Sequence, residues 1–233
     1  MTLNLSIIIP TLNAARSLAA TMSDLEALLR QVPGDHEVIV SDGGSNDETS
    51  AIARTEGARV IAGAPGRGGQ LRRGAEVAQG TFLLFLHADT KLDDNAANSI
   101  AAFMERSDTW RRAGYFRFAL DDESARARRL ERTVEWRCRT FFLPYGDQGL
   151  LIRRDLYTEL GGFSDMPLME DVDFIWRLKH RYSRRALFEL PAKTITSAEK
   201  FRRSGYMRRS AKNLFCLYLF WIGIPPALIA IVY

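Results

Sequence analysis

Phe82-Leu83-Leu84-Phe85-Leu86-His87-Ala88-Asp89 is a five-residue apolar run that ends in an imidazole and a carboxylate. A run that short and uniformly apolar predicts a strand buried on both faces, as in a parallel sheet covered by helices. Asp89 then falls just past the strand's carboxyl end, where an open α/β sheet presents groups to ligands. Far downstream, Glu170-Asp171 stands between a loop bearing Gly161, Gly162 and Pro167 and an apolar-periodic segment, Val172, Phe174, Ile175, Trp176 and Leu178. One acid is placed to hold a cation or a diphosphate, the other to accept a proton. The pair predicts an enzyme.

The apolar run is the fourth strand of an alternating series. Leu5 to Ile9 reads as a strand closed by Pro10-Thr11-Leu12-Asn13, and Ala15, Leu18, Met22, Leu25 and Leu29 then recur at helical spacing. Glu37 to Ser41 predicts a second strand, and Ser45-Asn46-Asp47-Glu48 matches a capping box opening a helix that closes near Gly57. Arg59 to Ala62 predicts a third strand, followed by a glycine-rich turn and a short helix over Leu71 to Ala78. Alternation of this kind implies a Rossmann-like, mostly parallel sheet with helices on both faces. The second half is less regular. Helices are expected over Asp93 to Glu105, over the arginine-rich Glu123 to Phe142 with Leu130, Val134 and Phe141 inward, and around Leu156 and Val172. Strands are expected over Tyr115 to Leu120, Gly149 to Ile152 and Ala186 to Leu190.

At 233 residues and 46% hydrophobic content the chain can bury one sizeable core, and no repeat or linker divides it. Its net charge of +4 suits an anionic ligand or surface without selecting either. The arginine-rich stretch lacks interleaved aromatics and any recognisable module, so no nucleic-acid partner is expected. Cys138 and Cys216 form no metal or redox spacing, and Met1 to Ser6 has no leader-like pattern, so a cytoplasmic setting is the expectation. Residues 1–213 are expected to form the domain, with halves at about 1–92 and 93–213, and 214–233 an uncharged tail. Gly223 and Pro225-Pro226 split that tail into two short helical pieces. These pack on the domain or, beside Arg202, Arg203, Arg208, Arg209 and Lys212, contact the inner face of the membrane.

Several motifs could carry chemistry. Asp42-Gly43-Gly44, after the second strand, can bind a base or ribose or simply cap a tight turn. Gly63 to Gln70 departs from a dinucleotide fingerprint, because Leu71 stands where the last glycine belongs, and reads as a flexible loop presenting Arg67 and Arg73 to phosphate. His87 and Asp89 alternate and are expected on one side; a single carboxylate plus substrate phosphates suits Mg²⁺ or Mn²⁺. His87 itself is expected to hydrogen-bond rather than to ligate metal. Tyr145-Gly146-Asp147-Gln148 either lines an acceptor pocket or forms a hairpin-like turn. Glu170, Asp171 and Asp173 could equally be first-turn acids that favour a helix N-terminus.

Taken in order, Ile7 to Asn13, Val40 to Ser45, Phe85 to Thr90, Gly161-Gly162-Phe163 and Met169 to Asp173 resemble the family 2 glycosyltransferases across nearly the whole chain. Within that family, HADT at 87–90, PYGDQ at 144–148 and PLMEDV at 167–172 are similar to a small bacterial branch associated with radical-SAM proteins and named for arsenosugar biosynthesis. The resemblance implies a single-domain GT-A fold, a nucleoside-diphosphate-sugar donor, a hydroxyl acceptor and inversion at the anomeric carbon. Pro10, Thr11 and Asn13 would line the nucleotide site with Asp42 and Gly43 at the base, and Asp89 would bind the metal of a DxD-like motif. Asp171 would be the catalytic base with Glu170 beside it. His87 replaces the usual first aspartate of that motif, and Ala14 stands where many relatives have Glu. Lys200, Arg202 and Arg203 lie near the place of the Gln-x-x-Arg-Trp motif of processive relatives, which is absent, so one sugar per acceptor is expected. Alternatives are a degenerate nucleotide-binding or membrane-associated scaffold and a sugar nucleotidylyltransferase.

Overall fold

The computed structural model describes residues 3–232, apart from the side chains of Leu3, Lys200, Arg203, Ser204 and Val232. The Lys200 and Arg203 expectation therefore lies outside the described residues. In the first half, strands β1 (Leu3–Thr11), β2 (Asp35–Asp42), β3 (Arg59–Ala62) and β4 (Phe82–Phe85) alternate with helices α1 (Ala15–Leu29), α2 (Thr49–Thr55) and α3 (Arg67–Val77). The second half adds β5 (Thr90–Leu92), α4 (Ala96–Met104), β6 (Ala113–Leu120), α5 (Ala125–Phe141), β7 (Leu150–Arg153), α6 (Arg154–Glu159), α7 (Glu170–Tyr182) and β8 (Leu187–Thr196). Helices α8 (Glu199–Ser204), α9 (Tyr206–Trp221) and α10 (Pro226–Val232) close the chain.

The eight strands form one mixed sheet in the order β3-β2-β1-β4-β7-β6-β8-β5. The β3-β2-β1-β4 segment is parallel and β7 joins β4 antiparallel, so the mostly parallel, doubly covered architecture is as expected. Alternation along the buried strands explains the apolar runs. Ile7, Ile9 and Leu84 pack with Leu18, Met22 and Leu25 of α1, whereas Ile8, Leu83 and Phe85 pack with Leu71 and Ala75 of α3 and Phe174 of α7. A strand covered on both sides carries few polar residues on either, and Ser6, one of these few, donates to Glu37 Oε1. The β5–β8 pairing ties residues 90–92 to the second half, so the two halves share one sheet.

Three expectations are corrected. α3 begins at Arg67, so the glycine-rich loop is its first turn. Glycine weakens a helix by about 1 kcal/mol per residue, but here closeness requires it: Gly68 N donates to Met166 O at 3.1 Å, and a Cβ on Gly68 would lie 2.2 Å from Ser164 O. Ser45 does not cap α2, which starts at Thr49 and whose N-cap makes no side-chain bond; Ser45 is spent on Asp42 and Asn13. Phe141 is exposed rather than inward, while Val134 is buried as expected. The uncharged stretch 214–233 begins inside α9, which starts at Tyr206 and buries Cys216 and Leu217 in the core that holds Phe163 and Phe174.

Gly68→Ala is expected to lower stability by about 1–3 kcal/mol, since backbone on the facing loop cannot rotate away from the new methyl. Urea unfolding measures it, and an unchanged midpoint would show that the approach of α3 to residues 164–166 is not tight.

Candidate active site

Thr11 and Asp42 end neighbouring strands in register. Asp42 Oδ1 accepts from Thr11 Oγ1 at 2.9 Å and Ser45 Oγ at 2.6 Å, and Oδ2 from the N–H groups of Gly44 at 3.1 Å and Ser45 at 2.8 Å. Burial raises the Asp42 carboxyl, but these bonds outweigh it and hold the group below its usual range. With its acceptor positions engaged, Asp42 builds the turn. Neither Asp42 nor Gly43, expected at the base, is among the residues lining the cleft. Asn13 adopts a left-handed φ of 51°, donates its N–H to Ser45 Oγ at 2.8 Å and accepts from Asn46 N at 2.9 Å. That cross-bracing fixes Pro10 to Asn13 along an outer chamber of about 830 Å³, which Arg67, Gln70, His87, Asp89 and Ser197 also line.

Gln70 carried no sequence signal, sitting in what reads as a loop. It is buried, and its Nε2 donates to Thr11 O at 2.7 Å and Ser41 O at 2.9 Å, locking α3 onto the ends of β1 and β2. Arg73, expected at a phosphate, instead donates to Ala64 O at 2.8 Å and packs over Gly63, outside the cleft-lining set.

An inner chamber of about 240 Å³ shares Arg67, His87, Asp89 and Ser197 with the outer one and adds Tyr145, Gly146, Asp147 and Asp171. Asp89 and Asp171, the two acids singled out in the sequence, therefore face one space. Asp171 is the second residue of α7, which follows Met169, whose φ of 68° is left-handed. Its Oδ2 accepts from Gly146 N at 2.6 Å and its Oδ1 from Val172 N at 2.8 Å, so two backbone groups set its orientation. A Cβ on Gly146 would lie 3.1 Å from His87 Nε2 and 3.3 Å from Asp171 Oδ2. Three motifs distant in sequence thus converge at one glycine.

Glu170, expected beside the base, is buried and ion-paired with Arg67. Burial raises its carboxyl, Asp171 adds to the rise, and Arg67 opposes it. Its role is to hold Arg67 at the junction of the chambers. Gln148 is also turned away: its Nε2 donates to Phe116 O at 3.1 Å, and its Oε1 accepts from Arg137 Nη2 at 3.0 Å and Tyr145 N at 3.2 Å. It shapes the turn that presents Tyr145, Gly146 and Asp147 to the inner chamber. Asp173 pairs with Arg177 one turn further along α7 at 2.7 Å, and Arg177 Nη2 also donates to Gly162 O in the loop after α6 at 2.8 Å.

The inner chamber also takes Thr196, Arg209 and Asn213, which the sequence reading did not assign to it. Tyr145 Oη, Asp147 Oδ1, Thr196 Oγ1, Arg209 Nε and Asn213 Oδ1 are all buried there without a hydrogen-bond partner. Buried unpaired polar atoms are few in folded proteins and cost about 1–3 kcal/mol each, so five around one cavity mark a place for a polar ligand. Burial raises the Asp147 carboxyl, Arg137 opposes that rise, and the charges of Asp171 and Asp89 reinforce it. Among the described residues no group of three or more His, Cys, Asp or Glu forms a cation cage. Asp89 nevertheless opens on both chambers, and one carboxylate with phosphate oxygens fits the oxygen shell of Mg²⁺ or Mn²⁺. A separate depression of about 780 Å³, lined by Arg72, Arg153, Arg154 and Tyr157, touches neither acid.

Residues 6–159 match the sequence model of glycosyl transferase family 2. A PGL/p-HBAD biosynthesis glycosyltransferase of Mycobacterium bovis, and its counterpart from Mycobacterium tuberculosis, are 42% identical over 107 residues, covering 42% of this chain and 41% of theirs. The match thus spans less than half the length of those relatives. The fold is similar to glucosyl-3-phosphoglycerate synthase from Mycobacterium tuberculosis in complex with Mn²⁺, uridine diphosphate and glucosyl-3-phosphoglycerate, with a TM-score of 0.66, 19% identity, and coverage of 95% of this chain and 81% of that one. Mannosyl-3-phosphoglycerate synthase from Rubrobacter xylanophilus gives 0.64, 17%, 95% and 75%. With the family model covering most of its length and a GT-A-like sheet beneath its acids, the chain belongs to glycosyl transferase family 2.

Proposed function

We propose that the domain moves a single sugar from a nucleoside-diphosphate donor to a hydroxyl acceptor, inverting the anomeric carbon. The observation that carries this reading is that Asp89 and Asp171 open on one small chamber joined to a larger one beside Pro10 to Asn13. The nucleotide occupies the larger chamber along Pro10, Thr11 and Asn13, and its diphosphate reaches Arg67, His87 and Asp89. Asp89, with the donor's phosphate oxygens, would hold Mg²⁺ or Mn²⁺, which when bound would neutralise charge on the departing diphosphate. The complex of the Mycobacterium tuberculosis synthase with Mn²⁺ and uridine diphosphate supports that choice of ligands.

The acceptor occupies the inner chamber, where Tyr145, Asp147, Thr196, Arg209 and Asn213 offer unspent polar atoms. Asp171 takes the hydroxyl proton as the oxygen attacks the face opposite the leaving group. Gly146 N–H keeps one carboxylate oxygen aligned for that transfer. Arg202, near the place of the processive motif, is occupied by Asp122 at 3.3 Å. The absence of that motif from the sequence supports transfer of one sugar rather than polymer growth.

Asp171→Asn is expected to slow transfer by about 10²–10⁴-fold, the span of general-base catalysis, while nucleotide-sugar affinity measured by calorimetry holds. Parallel loss of affinity and turnover would make Asp171 structural instead. Asp89→Ala is expected to weaken donor binding more with Mn²⁺ present than with chelator, and equal weakening under both conditions would remove Asp89 from cation binding.

Asp147→Asn separates ligand recognition from stability. The folded carboxyl lies above its unfolded value of 3.8, so its ionisation destabilises the fold as pH rises from that value through the folded one. Asparagine is expected to raise the melting temperature at neutral pH, with the gain shrinking below the unfolded value, while acceptor KM increases. A variant less stable at neutral pH would refute this.

A further inference from the structure

α9 has two working sides. Its inner side buries Cys216 and Leu217 and carries Arg209 and Asn213 to the inner chamber. On its outer side Met207, Leu214, Tyr218 and Trp221 recur at helical spacing with Phe215 and Ile222 alongside, every one more than half exposed. Leu228 and Ile231 extend the apolar surface onto α10. Of thirteen large apolar side chains exposed among the described residues, eight lie between Met207 and Ile231. A patch so concentrated marks a contact surface rather than ordinary scatter.

The charge of the segment is one-sided. From Lys200 to Tyr233 the sequence holds six Lys and Arg residues and no Asp or Glu. Arg208 and Lys212 are exposed on the first half of α9, beside the apolar stripe. No helix among the described residues is long and apolar enough to cross a membrane. α9 and α10 together expose an apolar surface that includes Tyr218 and Trp221, with Arg208 and Lys212 beside it.

We infer that the outer face of α9 and α10 docks this domain on a lipid surface bearing anionic headgroups. Apolar side chains enter the headgroup boundary, the indole and phenol rings sit at its level, and the lysine and arginine stems reach the phosphates. A second copy fits less well, since a two-fold contact sets this face against itself and brings like charges together. The inference stands apart from the assignment of base and donor.

The test is sedimentation of the intact chain with vesicles of phosphatidylcholine, with and without phosphatidylglycerol, in the absence of nucleotide and metal. Stronger binding to the anionic vesicles is expected, falling as salt rises. Leu214→Ser with Trp221→Ser, and separately Arg208→Glu with Lys212→Glu, are each expected to weaken binding about tenfold or more, with melting temperature and donor hydrolysis unchanged. No binding to any vesicle, indifference to both variant pairs, or a dimer in light scattering that the Leu214/Trp221 pair dissociates would overturn the inference. Sedimentation needs no turnover, so its failure is distinct from failure of the transferase reading.

Discussion

One ion pair, with its carboxylate buried and its guanidinium half-buried at the cleft, governs the site. Arg67 opens α3 and Glu170 opens α7, 103 residues later, and their contact joins the two helix N-termini beneath the cleft. A cation at a helix N-terminus is opposed by the helix dipole, so Arg67 stays there because Glu170 answers it. Removing Arg67 would strand the buried Glu170 carboxylate without its counter-ion, which costs far more than replacing both residues. Asp171 follows Glu170 directly, and the same contact that anchors Arg67 therefore sets the position of the adjacent carboxylate. Gly68, next to Arg67, makes the second link through Met166.

Much of this was legible in the sequence, for identifiable reasons. Strands buried on both faces leave uninterrupted apolar runs, and β4 is the clearest of them. Acids just beyond strand ends and at helix starts follow from the topology, so Asp89 and Asp171 could be found before their meeting was visible. Long-range partnership could not. Glu170 reads as an acid beside a base until Arg67 is seen against it, and Gln148 reads as a pocket group until its amide is found bonded to Phe116 and Arg137. Gln70 and the glycines before it were missed for one reason. Local propensity argues for a loop, whereas the close approach of another backbone demands a helix without side chains.

Two non-glycine residues with left-handed backbone, Asn13 and Met169, border the chambers from opposite halves of the chain. Asparagine tolerates that conformation and here repays it with bonds to Ser45 and Asn46; methionine tolerates it less well. Strain of this kind concentrates at functional sites, where the surrounding structure enforces it. At Met169 it turns the chain so that Glu170 points inward and Asp171 toward the cavity.

The five unpartnered atoms around the inner chamber have a consequence for the life of the molecule. Their unmet hydrogen bonds and the neighbouring carboxylates leave the ligand-free domain less robust than its well-packed sheet alone would make it. Selection for readiness has in this sense been set against durability. A ligand that took up these positions would add to the stability of the fold by mass action, so a loaded copy would resist unfolding and proteolysis better than an empty one.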